Sequence, residues 1–324
     1  MSIFRGEELQ KDRLLKEDTN HVKYKLSIIV SVMIFIIVLS SIIILNYFQK
    51  EDAFSADKGI LDLTNYDIDM SNVKLSGEWE FYPCQLINPG EVSNDFDIYK
   101  ENRKYIEVPS SWEDYLNNDS SAEGSGTYRL IIRVSGDGNY GIKTRTIRSA
   151  SRIFINGSEV AHMGKPALNK NSFKPNSKYT IGFGESIDKE LEIVIQVSSY
   201  AYRSGGIVRP IEFGNLQGIM DQNNKDRALD AFIISINLTL SLYFFFIFLT
   251  RRREIHSFYF SSITFLMAIY LSTMNEQLLD LLFNYSFMTR TRIQIYLMVA
   301  ITLCFLRFTH YFFRDYGNRK VTKT

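Results

Sequence analysis

The sequence predicts an all-β antiparallel sandwich held outside the cell membrane and tied to it by α-helical transmembrane segments. Three observations carry this. Residues 59–218 are a succession of short β-type runs separated by Gly, Pro, Asn and Asp, with no convincing amphipathic helix among them. Four segments are long and apolar enough to cross a bilayer. Threading those four in turn brings three clusters of Lys and Arg to one side.

The spans come first in the argument because they bound the rest. Residues 26–48, "LSIIVSVMIFIIVLSSIIILNYF", carry no charge. The segment is too long for a signal-peptide core and follows a charged tail, residues 1–25, so it reads as an uncleaved anchor. Further spans are expected at 229–250, 256–274 and 292–313. The tail 1–25 holds Arg5, Lys11, Arg13, Lys16, Lys23 and Lys25. The turn after the second span is Arg251-Arg252-Arg253, and the tail 314–324 holds Arg314, Arg319, Lys320 and Lys323. Positive charge stays in the cytoplasm, so both termini are expected inside and residues 50–228 outside, in a multi-pass protein of the cytoplasmic membrane. Arg307 and His310 fall within about two turns of the inner end of the last span, from which Arg307 reaches the headgroups. His256 lies in a short turn at the membrane edge with no dimerisation helix around it.

Between the first two spans lies the expected sandwich, residues 51–225. "GEWEFY" (77–82), "KYIEVP" (104–109), "GTYRLIIRV" (126–134) and "YGIKTRTI" (140–147) read as its first strands. "RIFINGSEVA" (152–161) reads as a β-hairpin, because Asn156-Gly157 is the dipeptide that tolerates the positive φ of a two-residue turn. "LEIVIQVSSY" (191–200) is apolar almost throughout, as in a strand covered on both faces, and "IVRPIEFG" (207–214) closes the set. Runs at this spacing number about eight, the texture of a sandwich with its own core.

The order of these pieces carries a resemblance. "GEWEFY", "YIEVPSSW", "GTYRLIIRV", "RSASRIFINGSEVAHMGKP" and "IVIQVSSYAYRSGGIVRPIEFG" together resemble the extracellular sensing domain of bacterial 7TM receptors with diverse intracellular signalling modules. "LTLSLYFFFIFLTRRREIHSFYFSSITFLMAIYLSTMNE" (238–276) is similar to the start of that family's membrane region. The resemblance implies a galactose-binding-like jelly roll, related to the one that precedes the catalytic domain of β-galactosidase-type glycosidases. It implies a receptor whose outer domain binds a small, carbohydrate-like ligand and passes the signal through its helices. The sequence departs from the family in carrying three spans after the sandwich rather than seven, with no GGDEF string and no kinase nucleotide-binding glycines. Three accounts of the departure stay open: a truncated gene, a fragment, or a subunit that signals through a separate output chain or a homodimer, beside the ligand and the lipid bilayer as partners. The alternative is a membrane-tethered carbohydrate-binding protein without a signalling role.

Composition narrows the chemistry. The net charge of +1 over 324 residues offers no field for nucleic acid. The two cysteines, Cys84 and Cys304, lie in the polar middle and in a late apolar segment, so an internal disulfide is not expected. No Cys/His cluster, GxSxG or HExxH occurs, and no metal, cofactor or enzymatic activity is expected. Binding residues are sought among aromatic and Arg side chains on loops, where rings stack on sugar C–H faces and guanidinium groups read hydroxyls. Trp79 and Tyr128 sit inside strand patterns and are expected in the core; Arg152 and His162 flank the hairpin, and Arg148 and Arg152, four apart in a strand, are expected on one solvated face. Trp112 follows Pro109-Ser110-Ser111 on a loop and is a ligand candidate. So are Tyr200, Tyr202, Arg203 and Arg209, which crowd around Gly205-Gly206 after the most apolar strand.

Overall fold

The computed structural model describes residues 54–321 apart from 69–70, 91–94, 117–122, 146, 177, 201–203 and 284. The expected tail 1–25 and first span 26–48 lie outside the described residues. Among the described residues eleven strands form the sandwich: β1 (Ser55–Ala56), β2 (Ile60–Leu63), β3 (Val73–Pro83), β4 (Lys104–Val108), β5 (Gly124–Val134), β6 (Asn139–Thr144), β7 (Ala150–Ile155), β8 (Ser158–Met163), β9 (Thr180–Glu185), β10 (Glu190–Ser199) and β11 (Ile211–Asn215). Each expected run contains a strand, although 207–214 is a strand only from Ile211 and 140–147 only as far as Thr144. The additions, β1, β2 and β9, are two residues, four residues, or interrupted by glycine as "TIGFGE", so none shows a periodic apolar run.

One layer runs β8-β7-β10-β5-β3-β4, with β2 and β1 alongside in parallel. The other runs β3-β11-β6-β9. β3 belongs to both, pairing first with β11 and then with β4 and β5, and the remaining pairings are antiparallel. At the opposite edge β8 meets β9 where Val160 packs on Gly182, so the sandwich is nearly closed. Trp79, Phe81, Tyr128, Leu130, Ile132, Ile142, Ile193, Ile195 and Phe213 fill the interior at 0% exposure. Burying each such side chain stabilises by about 1.5–3 kcal/mol relative to exposure.

The outer faces are covered too. Over the first layer lie residues 84–90 and 95–103. Gln196 Nε2 donates to the carbonyl of Ile87 at 2.9 Å, Ile87 N donates to Thr127 Oγ1 at 3.0 Å, and the Arg129 guanidinium sits 4.6 Å from the Phe96 ring. β10 is therefore buried on both sides: Val194, Gln196 and Ser198 on its outer face are as inaccessible as Ile193 and Ile195 on the inner. The hairpin turn has the conformation its sequence requires, Asn156 at φ 46 and Gly157 at φ 80.

Helix α1 (Leu216–Thr250) starts where β11 ends, with Asn215 Oδ1 accepting from Gly218 N at 2.6 Å as its cap. The last strand of the sandwich ends at Asn215, and the helix that contains the span expected at 229–250 begins at Leu216. Its first turns are mostly polar and bury a narrow face: Ile219 and Asn223 are buried, Ile219 beside Gly141 on the outer face of the second layer. Helices α2 (Ile255–Ser272) and α3 (Phe287–Val321) follow, and all three are long and apolar enough to cross a membrane. α1 and α2 approach closely at two small residues, Ser241 Oγ donating to Ser261 O at 3.0 Å and Ser261 Oγ to Ser241 O at 2.8 Å. α3 packs on α2 through Phe260–Phe308 and the stacked Tyr259–Tyr311 pair.

Candidate functional site

The loop after β10 is built against the end of the core. Trp112 N donates to Gly205 O at 3.4 Å, Ser110 N to Ile207 O at 2.9 Å, and Arg148 N to Gly206 O at 3.4 Å, so residues 205–207 are held between two neighbouring segments. Beneath them Trp112 lies parallel to Tyr128, ring centres 6.3 Å apart, with Phe81 4.8 Å from Tyr128. A Cβ on Gly205 would sit 2.3 Å from the Trp112 indole nitrogen, and one on Gly206, at φ +96, 2.7 Å from the Tyr128 hydroxyl oxygen. The glycine pair is needed because backbone seats directly on two aromatic rings.

This corrects one expectation. Trp112 is 0% exposed and is a core residue, so its ring is not offered to a ligand in solution. Its loop position in the sequence is real, but the loop turns inward and the indole closes the end of the sandwich. Tyr200 is half-buried. Its hydroxyl donates to Leu168 O at 2.6 Å and its ring meets Phe173 edge-on at 5.2 Å, so it fastens the 165–176 segment. Burial pushes its phenol up from the ordinary value. Arg209 is exposed on the far side of the glycine pair. Tyr202 and Arg203 lie outside the described residues. Arg148 is not on the solvated face of the hairpin: it precedes β7 and its guanidinium donates to Ser204 Oγ. Arg152 does face outward, beside Glu159 and His162.

Glu80 is buried and saturated, accepting from Arg103 Nη1 at 2.9 Å, Arg129 Nη1 at 3.0 Å and the Tyr82 hydroxyl at 2.9 Å. Among the described residues no group of three or more His, Cys, Asp or Glu is placed to hold a metal ion.

A second concentration of polar groups has no counterpart in the sequence reading. Lys143 on β6 is 0% exposed, on the outer face of the second layer under α1. Its Nζ donates to Asp226 Oδ2 of α1 at 2.8 Å and to Glu276 Oε1, in the loop joining α2 to α3, at 2.9 Å. Arg145 reaches Asp226 at 3.1 Å and Glu212 of β11 at 3.8 Å. Burial holds the Glu212 carboxyl above its ordinary value, against the pull of Arg145 and Lys143. Tyr179 lies 5.8 Å from Lys143 and 5.6 Å from Arg227, ring towards both cations. Beyond it Lys178 pairs with Asp280 at 2.8 Å, and Arg290 of α3 pairs with the same Asp280 oxygen at 3.1 Å. An ammonium out of water needs its anions, and stripping one partner from such a pair typically costs about 3–5 kcal/mol. Each of these residues is an ordinary solvated charge in the sequence.

The fold and these two regions define a class: a β-sandwich continuous with a helical membrane region and ion-paired to it. No protein-family model and no curated protein matches the chain. Among solved structures, the chain is similar to a GH2 beta-galacturonidase from Eisenbergiella tayi, with 16% identity over 45% of this chain and 24% of that one at a TM-score of 0.31. A beta-glucuronidase from Ruminococcus gnavus gives 11% identity over 44% and 29% at a TM-score of 0.32. One from an uncultured Clostridium gives 14% over 45% and 29% at 0.31. The chain spans about a quarter of the length of these proteins.

Proposed function

We propose that this protein is a membrane receptor of the type that bacterial 7TM receptors with diverse intracellular signalling modules exemplify. Its sandwich, a galactose-binding-like jelly roll in this reading, lies outside the cell. It binds a small polar ligand of carbohydrate-like chemistry, and the three described helices pass the change inward. The observation that carries the reading is the seamless run of β11 into α1: no linker separates the sandwich from the membrane helix, so a displacement of one moves the other. A ligand with different affinity for two positions of the sandwich then biases the helices. Support for the orientation comes from Arg251-Arg252-Arg253, at the end of α1 away from the sandwich.

The ligand is read by Tyr200, Tyr202, Arg203 and Arg209, on a loop rooted in the rigid end of the core. A rooted loop loses little freedom on binding. The test is calorimetry of the full chain in lipid nanodiscs against a panel of sugars and small polar metabolites. A saturable ligand is expected, and Tyr202→Ala or Arg203→Ala should weaken it at least about tenfold, or roughly 1.4 kcal/mol. Unchanged affinity in both variants would move the site elsewhere, and a silent panel would sink the carbohydrate reading.

A further inference from the structure

We infer that Glu276 and Asp280 form a second, non-covalent entry for the sandwich's displacement into the membrane region, with Lys143 and Lys178 as the positioning residues that drive it. The inference rests on the receptor reading above and deepens it: α1 is moved by the chain itself, whereas α2 and α3 are moved through the loop between them.

The loop's backbone is the first argument. Asn275 and Gln277, on either side of Glu276, have φ 41 and φ 51, a left-handed conformation that a glutamine adopts rarely. A short segment keeps two such residues only where its surroundings impose them. Here those surroundings are ionic and come from the sandwich and α1. Glu276 Oε1 accepts from buried Lys143 at 2.9 Å, Glu276 N donates to Asp230 Oδ2 at 3.1 Å, and Asn275 Nδ2 donates to Asp230 Oδ1 at 3.3 Å. Asp280 accepts from Lys178 at 2.8 Å.

The second argument is where the loop leads. Arg290 of α3 donates to Asp280 Oδ2 and to Gln277 Oε1, and Gln294, one turn further along α3, donates to Thr273 O at the end of α2 at 3.1 Å. A shift of β6 and the residues before β9 therefore pulls on both ends of the α2–α3 hairpin. With the lysines withdrawn, the loop would relax from the left-handed arrangement that Asn275 and Gln277 hold. Such a discrete pair of states is what coupling between distant parts needs.

Hydrogen–deuterium exchange of the full chain in nanodiscs, without ligand, tests this. In Glu276→Gln and in Asp280→Asn, peptides covering 273–286 should exchange at least tenfold faster than in the parent, while those covering β5 and β10 stay as protected as before. Lys143→Met should do the same. If it also loosens the sandwich, Glu276→Gln decides, since it leaves Lys143 its bond to Asp226. Unchanged exchange in 273–286 in the two loop variants would overturn the inference. A ligand panel that stays silent would sink the receptor reading alone and leave this exchange difference standing.

Discussion

Asn156 does more than make a turn. Its positive φ shapes the hairpin, its Oδ1 accepts from Glu192 N at 2.7 Å, and its Nδ2 donates to Glu185 O at 2.7 Å. It ties β7 to the start of β10 and the end of β9. The two roles separate by substitution. Asn156→Gly keeps the backbone and loses both side-chain bonds, with an expected cost of about 1–3 kcal/mol. Asn156→Val loses the backbone preference as well and should cost about 1–3 kcal/mol more, since a β-branched residue resists φ > 0. Equal melting temperatures for the two variants would mean the bonds, not the turn, carry the residue's worth. Trp112 makes the complementary case. Gly205→Ala should destabilise the protein by more than about 2 kcal/mol, because the added methyl meets the indole. A thermal shift of the full chain measures it, and an unchanged midpoint would put the ring elsewhere than under the glycine pair.

Elements were legible in proportion to how periodic their surroundings made them. β5 alternates cleanly, with Tyr128, Leu130 and Ile132 inward and Arg129 and Arg133 outward, because one face meets the core and the other meets charge. β10 announces itself by the run Leu191 to Val197, broken only by Glu192 and Gln196, and it is covered on both faces. β2 and β9 say little, being short or glycine-broken, and they gain strand geometry from neighbours already in place. The pairing of β3 with β4 sets Glu78 directly opposite Glu107, both exposed, which no inspection of the two runs separately would reveal. Like charges face to face on a sheet cost about 0.2–1 kcal/mol. Glu107→Lys should therefore raise the melting temperature slightly at low salt, with the gain shrinking as salt is added. A lowered midpoint would argue that the pair is held for another purpose.

For the molecule as a whole, orientation and pH response are the measurable consequences. A periplasm-active reporter fused after Gly164 should be active, and one after Arg253 inactive; activity after Arg253 would overturn the membrane arrangement. The junction between sandwich and helices carries a pH signature. The Glu212 carboxyl is held above its unfolded value, so it binds its proton more tightly in the folded state. Its contribution is complete below the ordinary carboxylate range and is lost as pH rises through the folded value. Glu212→Gln should remove that loss, leaving the variant at least as stable as the parent near neutral pH. A variant less stable than the parent at pH 7 would show that the Arg145 pairing outweighs burial.

The sequence by itself determined what local pattern can encode. Its strand runs, its Asn-Gly turn and its apolar spans each follow from the period and chemistry of adjacent residues, and so does the change from sandwich to membrane. Tertiary structure decided which side chains meet water. Trp112 is a loop residue by position and a core residue by packing, because residues 205–207 cross over it. Lys143 is an outward-facing strand residue by alternation, and an outward face ordinarily meets solvent. It is buried because α1 lies on that face, and its partner Glu276 stands 133 residues away. Neither burial nor a pairing at that separation leaves a mark on neighbouring residues, since both arise only when distant elements dock.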